Sequence, residues 1–189
     1  MTATDATRTT DIARLPGDPT PREEVERMIR VDHAGEYGAR RIYQGQLAVL
    51  GRSAAAPVLR RMQAQEQVHL ERFAELIAER RVRPTVLLPL WHVAGFVLGA
   101  ATAALGTRAA MACTVAVEEA IDAHYSRQTA RLGDDEAGLR QTIETFRAEE
   151  LEHRDIGLAH DAARAPGYRL LSRLIKAGCR AAIAASERF

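Results

Sequence analysis

The chain is poor in cysteine, with two in 189 residues, Cys113 and Cys179. They stand far apart and outside any Cys-x-x-Cys, which excludes a disulfide framework and a zinc ribbon and fits a reducing compartment. Charge of one sign is not in excess. Lys plus Arg number 26 against 25 Asp plus Glu, so nothing electrostatic points to nucleic acid as a partner. Gly-x-Ser-x-Gly, a phosphate loop and a dinucleotide fingerprint are all missing, leaving nucleophilic hydrolysis and a resident flavin or nicotinamide without support. Residues 1–19 lack an apolar run, which argues against a secretory signal, and Asp5, Asp11 and Asp18 argue against a mitochondrial transit peptide. We read residues 1–19 as a disordered tail and 20–189 as one domain.

No segment sustains the period-two alternation of a strand, so the predicted class is all-α. Thr20-Pro21-Arg22-Glu23 has the form of a capping box with Pro at the first helical position. That helix runs to Leu50 and stops at Gly51, a candidate left-handed cap. Ser53 is positioned to cap a second helix, with Pro57 in its first turn, ending about Arg83 before Pro84. Beyond Gly106 a helix reaches Leu132 and ends at Gly133. Asp135 is a candidate cap for the next, which runs to Pro166-Gly167, and a last helix covers Tyr168 to about Glu187.

What the chain does contain is a duplication. Glu36 is followed by Glu66-x-x-His69, and Glu118 by Glu150-x-x-His153. Residues three apart on a helix share a face, so each Glu-x-x-His aims a carboxylate and an imidazole at one point. Glu36, Tyr43, Gln46 and Gly51 match Glu118, Tyr125, Gln128 and Gly133 at an offset of 82 residues, and Met62, Glu66 and His69 match Phe146, Glu150 and His153 at 84. This alignment selects Glu118 over Glu119, and Glu150 over Glu149, whose counterpart is Gln65. In both hairpins the glutamates stand at roughly 20 Å from the turn at 1.5 Å per residue, so antiparallel helices bring them level. Four carboxylates and two imidazoles from four helices make the ligand set of a two-iron or two-manganese site. Ligation without cysteine suits iron or manganese rather than structural zinc. The expected arrangement puts Glu36 and His69 on one metal, Glu118 and His153 on the other, with Glu66 and Glu150 bridging.

Tyr43 and Tyr125 share helix faces with Glu36 and Glu118 and are candidates for core packing first, and otherwise for hydrogen bonding a ligand or carrying redox chemistry. Asp32 and Asp122, one turn from the same glutamates, are candidates to orient a ligand histidine or to form ion pairs. His33, His92, His124 and His160 fall outside the duplication and read as structural. Residues 84–107 carry no charged side chain. Pro89, His92 and the glycines argue against a simple membrane span, so this segment is expected to pack on the bundle or dip into one leaflet, and Gly95 and Gly99 mark a close helix contact. On the last helix Arg169, Arg173, Lys176 and Arg180 line one face, with Leu170, Leu171, Leu174, Ile175 and Ala182 on the other, the pattern of a helix lying on an anionic membrane.

Four blocks carry a more specific resemblance: Met28 to Ala39 (Met-Ile-Arg-Val-Asp-His-Ala-Gly-Glu-Tyr-Gly-Ala), Arg81 to Trp91, Ala110 to Glu119, and Glu149 to Leu158. They resemble the demethoxyubiquinone hydroxylase family (COQ7, or Cat5) across residues 22–189. The resemblance implies a ferritin-like four-helix bundle with an apolar helical insertion and a C-terminal amphipathic helix. It implies a di-iron monooxygenase, two Fe ions per chain and O2 as co-substrate, hydroxylating the ring of a polyprenylated demethoxyubiquinol in ubiquinone biosynthesis. Glu36, Glu66, His69, Glu118, Glu150 and His153 would be both metal ligands and the catalytic set. Electrons would come from NADH or the quinol itself, and a lipid-binding protein of the pathway is a candidate partner. A peripheral place on the cytoplasmic side of a bacterial membrane is expected, the mitochondrial inner membrane, matrix side, being the alternative. The competing readings are another di-iron quinol oxidase or peroxidase, a ferritin-like iron store, and a metal-free lipid-binding scaffold.

Overall fold

A computed structural model describes residues 17–189; most of the expected tail, residues 1–16, lies outside them. The described residues form six α-helices and no strand: α1 (Pro21–Leu50), α2 (Ala56–Arg80), α3 (Leu88–Ala104), α4 (Thr107–Thr129), α5 (Ala137–Ala159) and α6 (Tyr168–Arg188). The all-α expectation therefore holds.

The start of α1 follows the sequence signal. Thr20 Oγ1 accepts from Glu23 N while the Glu23 carboxylate accepts from Thr20 N at 2.8 Å, satisfying two first-turn amides reciprocally. Other boundaries differ. Gly51 is right-handed (φ −62°), not a left-handed cap. Ser53 closes this turn instead, donating to Leu50 O at 2.7 Å and accepting from Ala55 N at 3.3 Å, and α2 then begins without a side-chain cap. It stops at Arg80 rather than Arg83, because Arg81 takes the left-handed conformation and closes the helix end. Asp135 lies within a 3-10 turn, Asp134–Glu136, that precedes α5, and is not its cap. Helix α5 ends at Ala159, short of Pro166, where Asp161 turns left-handed into a second 3-10 turn, Ala162–Arg164. Gly106, at φ 104°, makes the sharp join between α3 and α4 that a side chain would oppose.

The helices stack in three layers of two. Helices α1 and α4 cross antiparallel in the middle, as shown by Tyr43 meeting Glu118 while Tyr125 meets Glu36. Each packs against its hairpin partner, α2 or α5, on one face, and against α3 or α6 on the other. The apolar segment is thus more than an insertion: α3 stands to α1 as α6 stands to α4, so each half of the molecule is a three-helix unit. Phe73, Ile29, Leu139 and Ile143 fill one end of the core, and Leu59, Met62, Met111 and Val115 the other. A third cluster, with Ile42, Cys113, Val117 and Ile175, joins the middle layer to α3 and α6.

The close contact expected at Gly95 and Gly99 is present. A Cβ on Gly99 would lie 2.0 Å from Ile42 O, and one on Gly45 would lie 2.1 Å from Phe96 O. Backbones meet there, and only glycine permits it. No helix among the described residues is long and apolar enough to cross a membrane.

Candidate metal centre

The six duplicated residues come from four helices of two adjacent layers: Glu36 from α1, Glu66 and His69 from α2, Glu118 from α4, Glu150 and His153 from α5. All are essentially inaccessible, with relative exposures of 0–1%. They fall into two overlapping groups, Glu36, Glu66, His69 and Glu150, and Glu66, Glu118, Glu150 and His153, in each of which one ligand atom per residue lies within 4.8 Å of the others. Glu66 and Glu150 belong to both.

His69 Nδ1 lies 3.0 Å from Glu150 Oε1 and 3.6 Å from Glu36 Oε2. His153 Nδ1 lies 3.1 Å from both Glu150 Oε2 and Glu66 Oε1. Both rings thus turn Nδ1 inward. Their outward nitrogens meet side chains of the opposite helix: His69 Nε2 is 2.5 Å from Glu149 Oε2, and His153 Nε2 is 3.1 Å from Gln65 Oε1. Sequence reasoning set Glu149 and Gln65 aside as the residues beside the duplicated glutamates. Their shared position in the repeat was the available signal, but which side of α2 and α5 faces the other helix is settled only by packing.

Tyr43 and Tyr125 hydrogen-bond across the halves. The Tyr43 hydroxyl donates to Glu118 Oε1 at 2.9 Å, and the Tyr125 hydroxyl to Glu36 Oε1. Burial and the neighbouring carboxylates push both phenols well above their ordinary value, so both remain protonated donors. Asp32 does not reach either inner histidine. One turn before Glu36, it faces the later part of antiparallel α4, accepting from Gln128 Nε2 at 2.7 Å and lying 3.3 Å from His124 Nε2. Asp122 also misses the cluster, and instead accepts from Arg147 Nε at 2.6 Å at the surface. Among the other histidines, His92 Nδ1 meets the Tyr37 hydroxyl at 2.7 Å and His160 is exposed.

Burial, aided by mutual repulsion, raises Glu36, Glu66 and Glu118, the last two well above the ordinary carboxylate range. Glu150 goes the other way. Burial opposes its charge, but hydrogen bonds from His153 and His69 overcome this and hold it at about 2. Burial likewise disfavours protonated His69, yet Glu150 and Glu36 carry it up to about 12.

The donor set fits two hard or borderline cations. Glu36 Oε2, Glu66 Oε2 and Glu118 Oε2 are buried with no hydrogen-bond donor, an arrangement that costs several kcal/mol per ion unless a cation compensates, roughly as in other buried charge clusters. Oxygen and imidazole donors without thiolate match iron or manganese.

The model of the family described as "Ubiquinone biosynthesis protein COQ7" matches residues 23–186. The 3-demethoxyubiquinol 3-hydroxylase of Rhodospirillum rubrum is 65% identical over 176 residues, covering 93% of this chain and 83% of that one. The human NADPH-dependent 3-demethoxyubiquinone 3-hydroxylase, mitochondrial, is 58% identical over 175 residues, covering 90% and 81%. The 5-demethoxyubiquinone hydroxylase, mitochondrial, of Saccharomyces cerevisiae is 41% identical, covering 87% and 78%. With a family match spanning α1 to α6 and the duplicated glutamates and histidines gathered in one buried cluster, the chain belongs to the COQ7 family.

Proposed function

We propose that this protein is a di-iron monooxygenase that hydroxylates the ring of a polyprenylated demethoxyubiquinol with O2. The observation that carries the proposal is the pair of overlapping four-residue groups, all buried, in a chain so similar to named demethoxyubiquinol hydroxylases. Glu36, Glu66, His69 and Glu150 would hold one iron, and Glu66, Glu118, Glu150 and His153 the other. When bound, the iron pair supplies O2 activation and the electron transfer to oxygen. The chain's own residues prepare that chemistry. Tyr43 and Tyr125 fix the carboxylate orientation of Glu118 and Glu36 by donating to one oxygen and leaving the other free. Glu149 and Gln65 hold the rings so that Nδ1 faces inward. The packed helices exclude water, which strengthens every electrostatic interaction inside. Two electrons are required, and a reduced nicotinamide or the quinol substrate is the proposed source.

The substrate is a membrane lipid, and the outer layer suits a membrane. Leu90, Val93 and Val97 on α3, Leu105 beyond its end, and Leu170 and Leu174 on α6 are 54–73% exposed. Arg169, Arg173 and Arg180 are exposed on α6. The basic face is narrower than the sequence pattern implied because Lys176 pairs with Glu119, and the exposed apolar face is narrower because Leu171 and Ile175 turn into the core. We place the protein peripherally at a membrane through this layer, on the cytoplasmic side in a bacterium or the matrix side in a mitochondrion. The same exposed apolar layer opposes a soluble iron-storage cage.

The test is complementation of a strain lacking the hydroxylase, with lipid extracts analysed for the demethoxy intermediate and purified protein assayed for iron. Restored ubiquinone and close to two irons per chain are expected. Accumulation of the demethoxy intermediate despite expression, or less than one iron after supplementation, overturns the proposal.

A further inference from the structure

The two halves of the metal centre repeat in sequence, yet the side chains behind the two histidines are not the same. Behind His69 stands a carboxylate, Glu149 Oε2, 2.5 Å from Nε2. Behind His153, at the equivalent position, stands an amide, Gln65 Oε1, 3.1 Å from Nε2. The rings differ in their neighbours as well. Phe146 stacks on His69 with centroids 4.0 Å apart and planes at 26°. The residue equivalent to Phe146 is Met62, whose sulfur lies 3.8 Å from the Tyr43 hydroxyl, and His153 meets the Tyr43 ring edge-on instead.

An imidazole that gives its outer N–H to a carboxylate is a stronger electron donor through its inner nitrogen than one hydrogen-bonded to a neutral amide. We infer that the Glu149/Gln65 difference makes the two metal positions inequivalent, with the Glu36–His69 position the tighter and Glu149 its positioning residue. This rests on the metal centre proposed above. Neither Glu149 nor Gln65 is among the residues that would touch metal. Both are partly open to solvent at the edge of α5 and α2, so exchanging acid for amide changes the donor without opening the core.

The experiment titrates metal-free, full-length protein with Mn(II), following the free ion by its EPR signal, and repeats this for Glu149→Gln and Gln65→Glu. Wild type should bind two equivalents with separable constants. Glu149→Gln should weaken the tighter constant by about 10–100-fold, the usual effect of losing such a partner, and leave the weaker one nearly unchanged. Gln65→Glu should tighten the weaker constant toward the other. A Glu149→Gln protein that loses affinity equally at both positions, or at neither, overturns the inference, as does an unchanged weaker constant in Gln65→Glu. Wild type that binds no Mn(II) and no Fe(II) overturns the metal centre itself. Two wild-type equivalents insensitive to both substitutions leave the centre standing and remove only the inequivalence.

Discussion

Glu66 is the residue on which stability and metal binding pull most plainly in opposite directions. Its side chain is fully buried beside Glu150 and Glu36, and its Oε2 lacks a hydrogen-bond donor. Glu66→Gln removes a carboxyl that must take up a proton to be buried, and should stabilise the metal-free protein at neutral pH by about 1 kcal/mol or more. The same change should abolish the rise in thermal midpoint on adding Fe(II), seen when wild type and variant are melted with and without metal. The pH dependence of the metal-free protein has a definite sign. Glu36, Glu66, Glu118, His69 and His153 all bind their protons more tightly when folded. Their contribution is whole below the ordinary values of 4.5 and 6.5, and is lost as pH rises through the folded values, for His69 about 12. Glu150 acts oppositely, its contribution present above 4.5 and lost as pH falls toward about 2. Urea midpoints of metal-free protein should therefore fall steadily from pH 6.5 upward, and metal should flatten that slope by taking the place of the protons. These six residues were legible in the sequence because their spacing repeats. The phenol contacts were half legible: repeat and helix face nominated Tyr43 and Tyr125, but their reach across to the opposite half's glutamate depends on how α1 and α4 cross. Asp32 and Asp122 show the limit of proximity along one helix, since each is claimed by a neighbour the sequence could not place.

At the scale of the element, α3 is held to α1 by the absence of side chains. Gly99→Ala places a methyl carbon within 2.0 Å of Ile42 O, a backbone atom that cannot turn aside. It should cost about 3 kcal/mol, at the upper end of overpacking effects, and should expose α3 to limited proteolysis. Gly178 on exposed α6 is the control, for a Cβ there meets nothing within 4 Å. Gly178→Ala should raise stability by about 1 kcal/mol, the ordinary helix-propensity gain. Chemical denaturation of both variants decides the matter. The Gly95 and Gly99 contact was readable from small-residue spacing, but its partner was not, because an uncharged helix carries no polar face to show which side turns inward. Capping residues were the least reliable signals. Gly51 and Asp135 are suitable chemically, yet the packing of the following helix sets the turn, and Ser53 and a 3-10 turn do the work instead.

For the whole molecule, three stacked layers put the buried Glu/His cluster on one side of α1 and α4 and the exposed apolar residues of α3 and α6 on the other. Helices α2 and α5 form one side, α3 and α6 the other, and the buried cluster lies between α2 and α5 and the middle pair, α1 and α4. Binding to vesicles containing anionic lipid should be salt-sensitive through Arg169, Arg173 and Arg180, and should retain an apolar part through α3. Val93→Glu with Leu174→Glu should lower co-flotation with such vesicles at least tenfold, while the thermal midpoint and iron content stay unchanged. Equal flotation of variant and wild type would remove the outer layer as the membrane-facing surface. The equivalence of α3 and α6 escaped the sequence because the repeat fades outside the ligand hairpins. Only their matching positions against α1 and α4 reveal it.

The sharing of Glu66 and Glu150 between the two four-residue groups also sets an order of events during synthesis. A ribosome that has released only the first three helices has exposed Glu36, Glu66 and His69, and neither group is yet complete. Both wait for Glu150, late in α5. Until α5 emerges, the nascent chain offers no complete four-residue group in which a metal could be held. On the di-iron reading proposed above, a fragment that stops before α5 should therefore take up no metal, however well its first three helices pack.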